Sequence, residues 1–419
     1  MARNRVIYQS EALFINQDAA YSGGYNQIER VQSANYSYTV NRQDINQYGQ
    51  LGKLDSIILD APTVSADISY YLTDGFTERA LGFFVSNSGK LVGGHVTSGS
   101  FISGHLADGS GRNLFITTSP EGMDADLPAR SLTGSYGVPP PRTTTIGVGN
   151  CYLSDYSLDL SVGAIPTVSV SFDALNINSQ EVITGATSGW ALDSPAINPV
   201  DGTPVTFGDA PNRTGYQVLP TAVTGYTGTN GGNQIAALRP GDITINIANF
   251  SGSGIANIGG TGADGSVDFD ANAAHIQSAS LSIPLSRSPL ERLGSNNAYA
   301  RSIDFPIVST LSVSAILNEV ESYNLTTALG DEGEKDITLT LNDSADPPVP
   351  AMIYTLMGCS FDSESFTSSI GANKSVDMTF TTSVGGPTDT GHGIFVSGAS
   401  TGALYTGVHP ELEPGIPGH

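Results

Sequence analysis

The string GASTG at residues 398–402 is the part of the sequence closest to a catalytic motif. Its Gly-x-Ser-x-Gly spacing is that of the nucleophile elbow of serine hydrolases, and His392 and His409 lie nearby as candidate bases. An elbow requires a strand that runs directly into a helix. Here the string stands in a Gly/Ser-rich stretch with no helix signal after it. We therefore interpret it as a turn and expect no catalytic residue and no enzyme, with a carbohydrate-active enzyme on a β scaffold as an alternative.

The acidic segment DGSVDFDAN is the best candidate for a metal site. Asp264, Asp268, Asp270 and Asn272 could offer the oxygen ligands that calcium prefers. Their spacing does not follow the EF-hand pattern, and Asx-rich turns between strands look the same. The six histidines are dispersed, with no pair at the helical spacing typical of metal ligands. We expect no metal and no cofactor, with calcium as the alternative.

The charge balance restricts the possible partners. The 419 residues carry 17 Lys+Arg against 40 Asp+Glu, a formal net charge of -23. A grip on nucleic acid needs clustered basic residues, so a DNA-binding protein is disfavoured. The opening MARNRVIYQSEALFI has no apolar core, and no apolar run approaches the length of a membrane helix. We therefore expect neither a secretory signal nor a contact with a membrane.

The sequence contains an internal repeat, which indicates how its structural elements are arranged. Residues 31–42 read VQSANYSYTVNR, and residues 276–287, which lie 245 positions later, read IQSASLSIPLSR, with five identities in twelve. We predict that the register then shifts by one residue, so that PTVS, which starts at Pro62, matches PIVS, which starts at Pro306.

A third matching block lies further along the chain. Cys151 aligns with Cys359 and Gly163 with Gly371, at an offset of 208. Three blocks in the same order predict that one unit was duplicated in tandem. Because the offset falls between the second and third blocks, the first copy must carry extra residues, which we place in the Gly-rich segment 81–111.

The two copies divide the chain into four predicted parts. The first unit covers 1–178, with an extra loop at about 73–142, and the second unit covers 276–386. Between them, 179–275 is a Gly/Asn/Thr-rich insert, which we predict to be a linker or a small β-domain. Residues 387–419 form a tail rich in Gly and Pro.

Short alternating segments predict strands in both copies, because an apolar residue at every second position suits a strand with one buried face. These segments are 35–40, 114–118, 167–172, 242–250, 280–285, 337–341 and 376–380. The predicted fold class is therefore all-β, with two tandem β-sandwich or barrel units. We also predict one short helix in each copy, over 44–49 with Gly49 at its end and over 288–294 with Gly294 at its end.

Two matched pairs of residues are candidates for structural or interface roles. Arg42 and Arg287 each follow a strand, where a guanidinium can hold a carboxylate or a helix end. A salt bridge within the fold and a contact between subunits both remain open. A disulfide needs Cα atoms within about 7 Å, and matching sites of separate units rarely meet. We therefore interpret Cys151 and Cys359 as buried thiols.

Several of these strings resemble structural proteins of tailed-phage virions. The opening RNRVIYQSEALFI resembles the N-terminus of such proteins. Two longer pairs of strings resemble tail-tube-like proteins: VNRQDINQYGQL (40–51) with PTVSADISYYLTDG (62–75), and LSRSPLERLG (285–294) with IDFPIVSTLSVSA (303–315).

The resemblance implies a β-sandwich or barrel subunit with a short flanking helix, whose neighbours join their sheets into a ring. Stacked rings would form the tube through which the genome is ejected, and three chains with two units each would make a pseudo-sixfold ring. The implied partners are further copies of the chain and other tail proteins (sheath, tape measure, terminator or baseplate), and DNA passes without specific binding. The implied location is the virion, after synthesis in the host cytoplasm.

Two further expectations concern the channel and the insertion. An acidic channel would repel phosphates and let DNA slide, and we expect the insertion of the first copy to be an arm that grips the next ring.

The middle segment and the tail of the chain exceed a minimal tube subunit and leave alternatives. One is another tail component, namely a terminator, distal tail or baseplate ring. Another is a β-rich adhesin or decoration protein that binds surface glycans through Trp190, Tyr216 and Tyr226.

Overall fold

A computed structural model gives the fold. It describes residues 11–16, 25–59, 61–86, 99–107, 111–118, 144–181, 190–198, 203, 216–219, 237–248, 267–268, 274–294, 297–317, 334–343, 350–367, 375–386, 389 and 391–399. None of the helices in these ranges is long and apolar enough to cross a membrane.

The described part of the chain consists mainly of antiparallel strands. The elements up to the middle of the chain are β1 (Glu11–Asn16), β2 (Tyr25–Ile28), β3 (Val31–Thr39), β4 (Arg42–Ile45), β5 (Asp55–Ile58), β6 (Thr63–Tyr71), α1 (Phe76–Leu81), α2 (Ser103–Ala107), β7 (Arg112–Thr118), β8 (Thr144–Ser161), β9 (Thr167–Ala174), β10 (Asn176–Glu181), β11 (Trp190–Asp193) and β12 (Tyr216–Leu219). The remaining elements are β13 (Ile243–Ala248), β14 (Val267–Asp268), β15 (Ala274–Pro284), β16 (Arg287–Leu290), β17 (Ala300–Ile303), β18 (Ile307–Leu317), β19 (Lys335–Asn342), β20 (Pro350–Thr367), β21 (Ser375–Val384) and β22 (Gly393–Gly398). The all-β fold class predicted from the sequence is confirmed.

Eight strands form one continuous antiparallel sheet, the main sheet. Its order is β3-β6-β9-β8-β15-β18-β21-β20. The first four strands belong to unit 1 (β1 to β10) and the last four to unit 2 (β13 to β22). The two units are therefore joined by the antiparallel pair β8–β15.

Each unit adds a second sheet that shares its longest strand with the main sheet. These second sheets are β2-β1-β7-β8-β10 in unit 1 and β14-β13-β19-β20-β22 in unit 2. β8 and β20 have 18 residues each, and their first halves lie in the second sheets. The corners fall at Asn150 (φ 53°) and Gly358 (φ 64°), residue types that adopt the left-handed conformation readily.

The two units match strand for strand in pairing register. Ser33 pairs with Ser69 in β3–β6, and Ser278 pairs with Ser314 in β15–β18, each next to a bulge. The pairs β8–β9 and β20–β21 also correspond, including their bulges. β1, β2 and β10 of unit 1 take the same places as β13, β14 and β22 of unit 2.

The predicted one-residue shift between the first and second blocks is wrong. Ala66 of β6 corresponds to Leu311 of β18, still 245 positions later, because each faces the matching Phe of the next strand. Pro306 therefore lies one position before the counterpart of Pro62. The similarity of PTVS and PIVS is local, whereas the cross-strand pairs determine the register.

The unit boundaries also differ from those predicted. β10 carries unit 1 to Glu181, β13 from the predicted insert pairs with β19, and β22 from the predicted tail pairs with β20. The sequence predicted β13 as a strand, but all three strands lie next to Gly-rich connections, so the composition did not show which unit each belongs to. Within 179–275, the hairpin β11–β12 forms a separate two-stranded sheet.

The two predicted helices are wrong, because both segments form β-hairpins, β4–β5 and β16–β17. Arg42 and Arg287 begin these hairpins, and Gly49 and Gly294 lie in their turns, both at φ 89°. Both segments are exposed, so a short helix there would have no buried contacts to offset its nucleation cost, whereas the six residues of α1 are mostly buried. The described helices α1 and α2 lie in the insertion of unit 1, so the expectation of one helix per unit is also wrong.

The insertion of unit 1 packs against unit 2 of the same chain. The amide of Phe101 donates to the carbonyl of Ile394 at 2.8 Å, and the amide of Ser86 donates to the carbonyl of Val396 at 2.9 Å. Both acceptors belong to β22. In its described residues, the insertion is thus not the free arm that the sequence suggested.

Candidate functional site: the polar face and open edges of the main sheet

One face of the main sheet is lined by small hydroxyl side chains. One row of them crosses all eight strands through successive cross-strand pairs. Its members are Ser33, Ser69, Ser169, Ser157, Ser282, Thr310, Thr381 and Ser360. The alternate residues of the same strands are buried in the core, as the patterns of β6, β9 and β21 show. The polar face is therefore one surface that spans both units.

Hydrogen bonds between neighbouring strands hold some of the polar side chains of this face in place. The hydroxyls of Ser33 and Ser69 lie 2.6 Å apart, and the hydroxyl of Ser171 donates to Oδ1 of Asp67 at 2.7 Å. Their donors and acceptors are thus partly satisfied within the sheet, which favours a smooth polar surface over a binding pocket.

The charged side chains of this face are carboxylates. They are Asp67, Asp155, Asp159, Asp173 and Asp377. At the alternating polar-face positions of the described main-sheet strands there is no Lys or Arg. Partial burial raises the pKa of Asp155. A polyanion such as DNA meets repulsion here and no cation that could hold a phosphate.

The joint between the units, which is the strand pair β8–β15, is covered by buried apolar side chains and by an arginine. Leu281 and Ile283 of β15 are buried and lie opposite β8. At the end of the joint, Nε of Arg287 donates to the carbonyl of Leu153 at 3.2 Å. The Arg287 guanidinium also lies 5.5 Å from the ring centre of Tyr152. The candidate Arg287 is therefore a contact between the two units of one chain.

At the two outer edges of the main sheet, no described strand pairs with the outer side of the edge strand. Among the described strands, β3 pairs with β6 and the second half of β20 pairs with β21, so each leaves one side open. Tyr36 and Tyr38 of β3 are 45% and 49% exposed, whereas their counterparts Leu281 and Ile283 are 1% and 0% exposed. Arg42 is exposed as well. An open strand edge with exposed aromatic residues is typical of a surface that pairs with another chain.

The hairpins add exposed apolar side chains. Tyr48 and Leu293 occupy matching positions in the turns of β4–β5 and β16–β17, and both are fully exposed. The first hairpin and its flanks also expose Ile45, Leu51, Leu54, Ile57, Ile58 and Leu59. Monomeric proteins rarely expose apolar side chains in clusters of this kind, so the cluster is a candidate surface for contact with a partner.

Aromatic side chains fill the space behind the joint. Phe83 and Phe101 of the insertion stack with ring centres 4.1 Å apart. They pack edge-on against Tyr156 of unit 1, and Phe101 packs also against Tyr354 of unit 2. The hydroxyls of these two tyrosines lie 2.9 Å apart. The insertion thus holds the two units in one arrangement.

A buried carboxyl group lies in the same region. The hydroxyl of Tyr70 donates to Oε1 of Glu78 at 2.9 Å, while Oε2 has no hydrogen-bond partner among the described residues. Burial, with a smaller contribution from Asp74, raises the pKa of Glu78 to about 7. The group is enclosed in the core, so we regard it as part of the packing and not as a catalytic acid.

The two cysteines are free and buried, as interpreted from the sequence. Cys151 pairs across strands with Arg112, and Cys359 with Lys335, a further match between the units. Burial raises the pKa of Cys359 to about 12 and that of Cys151 further still. These thiols are therefore not nucleophiles.

The other candidates form no site in the described residues. Gly398 of the GASTG string ends β22, while 400–402 and His409 lie outside the described residues. His392 is partly exposed and contacts Glu334 and Asp389.

The acidic segment is described at Asp268 of β14, and Asp264, Asp270 and Asn272 lie outside the described residues. Within the described ranges, no three His, Cys, Asp or Glu residues are placed to hold a metal ion.

The remaining residues named from the sequence that the structure describes are turn and hairpin positions. Gly163 lies in the turn between β8 and β9 at φ 85°, and Gly371 lies outside the described residues. Trp190 and Tyr216 are backbone positions of the β11–β12 hairpin, whose side chains are not described, and Tyr226 lies outside the described ranges.

Sequence reasoning did not predict the polar face or identify the strands that carry the open edges, although both left a signal. The alternating positions of strings such as TVSVSF are Ser or Thr, which marks a face covered by hydroxyls and not by mixed charges. Within the first matched block, Tyr36 and Tyr38 stand where unit 2 has Leu281 and Ile283. Such a change of type in otherwise matching strands indicates different neighbours.

No family model matches the chain, and no curated protein matches it either. What points to function is therefore the polar face, the open edges and the hairpins of the molecule itself.

Proposed function

We propose that the protein is a structural subunit of a phage tail tube, in which the main sheets of neighbouring copies join into a ring around a channel. One observation carries the proposal: a single eight-stranded sheet has a row of hydroxyl side chains across one face and, at each end, an edge that no described strand pairs with. Copies that join at these edges protect them from irregular aggregation. The resemblance of the strings at 40–51 and 285–294 to tail-tube-like proteins supports the same assembly.

We further propose that the two units arose by tandem duplication, so that three chains form a pseudo-sixfold ring. The matching registers, bulges and corner residues support this ancestry. With eight main-sheet strands per chain and about 4.8 Å between strands, such a ring would be ~37 Å across at the backbone before tilt widens it. That width leaves room for a DNA duplex.

The polar face suits a channel that DNA crosses without being held. Binding to DNA draws much of its free energy from the release of counterions by Lys and Arg at phosphates. Hydroxyls and carboxylates release none, and the net charge of -23 adds repulsion. No catalytic group is needed for this function.

Microscopy and labelling test the proposal together. Purified protein at high concentration should form rings or tubes in negative stain, and antibodies against it should label phage tails along their length. Label confined to one end of the tail would instead assign a terminator, distal tail or baseplate ring. A protein that stays monomeric and labels no virion would contradict the proposal.

A further inference from the structure

We propose that the open edges of two copies pair in the register of the internal β8–β15 joint, so that β20 of one copy lies antiparallel to β3 of the next, with Ser365 opposite Ser37. This proposal rests on the self-assembly proposed above and specifies the partner surface, a second copy of the chain.

The register follows from matched positions within the chain. In the internal joint, Ser157 of β8 pairs with Ser282 of β15. Ser365 holds the position of Ser157, because β20 pairs with β21 as β8 pairs with β9. Ser37 holds the position of Ser282, because β3 pairs with β6 as β15 pairs with β18. One joint therefore supplies the template for the other.

The exposure of β3 fits this template. Its two exposed tyrosines hold the places of residues that are buried in the internal joint. Transfer of the register puts Tyr36 opposite Phe366 and Tyr38 opposite Glu364. Covering two half-exposed aromatic side chains supplies a hydrophobic driving force for the contact.

The position of Arg42, at the start of the β4–β5 hairpin, also agrees with the proposed register. Arg287 donates to the carbonyl of Leu153 at the internal joint. The same placement brings Arg42 of one copy to the carbonyl of Phe361 in its neighbour. Arg42 is exposed in the single chain, so its side chain is available for this contact.

The two joints are not equally strong. At the internal joint, both Arg287 and Arg301 lie over the ring of Tyr152, at 5.5 and 5.7 Å. At the joint between copies, Ser360 holds the place of Tyr152 and Ser56 holds the place of Arg301. Because these cation–π contacts are missing, we expect the internal joint to persist as part of the folded chain while the joint between copies forms reversibly.

A cysteine pair tests the register. Ser37→Cys combined with Ser365→Cys places two thiols at opposite edges of one main sheet, where they cannot meet within a chain. Residues opposite each other in an antiparallel pair have Cα atoms ~4.5–5.5 Å apart, within the range of a disulfide. The native cysteines are buried. Mild oxidation of the assembled protein should therefore give covalent dimers and trimers.

The matched control is Ser37→Cys combined with Ser363→Cys, which keeps the same face but moves one thiol out of register by two residues. Its diagonal separation of roughly 7–8 Å should reduce cross-linking severely. Equal cross-linking of both pairs, or none in either, would overturn the register, provided that thermal melts show both variants folded.

The outcomes separate this proposal from the proposed function. Rings in the microscope without the Ser37–Ser365 cross-link would overturn the register but leave the tube. A specific cross-link in a protein that labels no phage tail would support the edge pairing and count against the tail-tube function.

Discussion

At the scale of single residues, corresponding positions of the two units have different surroundings. Arg287 is held between the two units of one chain, while its counterpart Arg42 is exposed at an open edge. The sequence singled out both residues and left a fold-internal and an inter-subunit contact open. The structure shows Arg287 in contact with its own chain, and the contact of Arg42 with another copy is a proposal.

Substitution of the two arginines by alanine should therefore give different results. Arg287→Ala should lower the free energy of unfolding by about 2 kcal/mol, because it removes a charged hydrogen bond and a stacking contact. Arg42→Ala should leave the melting temperature unchanged and raise the concentration needed for assembly. Calorimetry and light scattering measure the two effects. A lower melting temperature in the Arg42 variant alone would contradict the assignment.

Glu78 makes stability depend on pH in a direction opposite to most carboxyl groups. Its ordinary pKa is 4.5, and burial raises it to about 7 in the fold. Between these values the folded chain keeps a proton that the unfolded chain releases. Its contribution to the free energy of unfolding is thus complete below pH 4.5 and falls as pH rises toward 7, by roughly 3 kcal/mol in all.

Glu78→Gln should remove this contribution. The titratable groups that interact with it are Tyr70, Tyr156, Tyr354 and Asp74, and none of them supplies a positive charge. Relative to the unsubstituted protein, the variant should gain stability from pH 5 to pH 8 in thermal melts. A difference between the two proteins that does not change with pH would show that Glu78 titrates normally.

At the scale of elements, the hairpin turns depend on backbone conformation. Gly49 and Gly294 have φ 89°, in the left-handed region that strains most residues other than Gly and Asn. A Cβ added at either position would meet no other atom within 4 Å. Gly52 lies in the same turn region in equally open space, without a left-handed φ.

Valine substitutions should separate strain from crowding. Gly49→Val and Gly294→Val should each destabilise their hairpins by about 1–2 kcal/mol, whereas Gly52→Val should be nearly neutral. Chemical denaturation or hydrogen exchange at the hairpin amides measures the effect. Equal losses at Gly49 and Gly52 would mean that the left-handed backbone is not the cause.

The elements also show how far sequence reasoning reaches. Strands such as β9 and β21 were predictable because one buried face imposes strict alternation. The segment after Arg287 carries helix-capping residues, so a helix was predicted there. Its pairing with β17 lies across a long turn, and such pairing leaves no signal in the local sequence. The short strands β13 and β22 border Gly-rich connections, so composition masked their membership of unit 2.

At the scale of the whole molecule, the two units share one continuous main sheet, to which each contributes four strands. The polar face was not predictable as a surface, because it exists only when residues from eight strands come into register. The net charge of the chain was visible in the sequence, but its distribution was not. The structure puts carboxylates and hydroxyls on the polar face, and Arg287 and Arg301 at the joint behind it.

Reversal of one charge on the polar face should create affinity for DNA. Asp159→Lys would place a cation at the proposed channel surface in every copy of the ring. Retention of DNA by the assembled protein should then appear at low salt and vanish as salt rises. Glu334→Lys, the same charge change at an exposed position outside the main sheet, is the control. Equal retention by both variants would show that the polar face does not meet the DNA.

The most direct test of the central claim is a cryo-electron microscopy map of the assembled protein. We expect three chains per ring, a closed barrel of main-sheet strands, β3 of each chain beside β20 of the next, and the hydroxyl and carboxylate face turned toward an open channel. A ring that closes through the second sheets, or one whose polar face points outward, would contradict the claim.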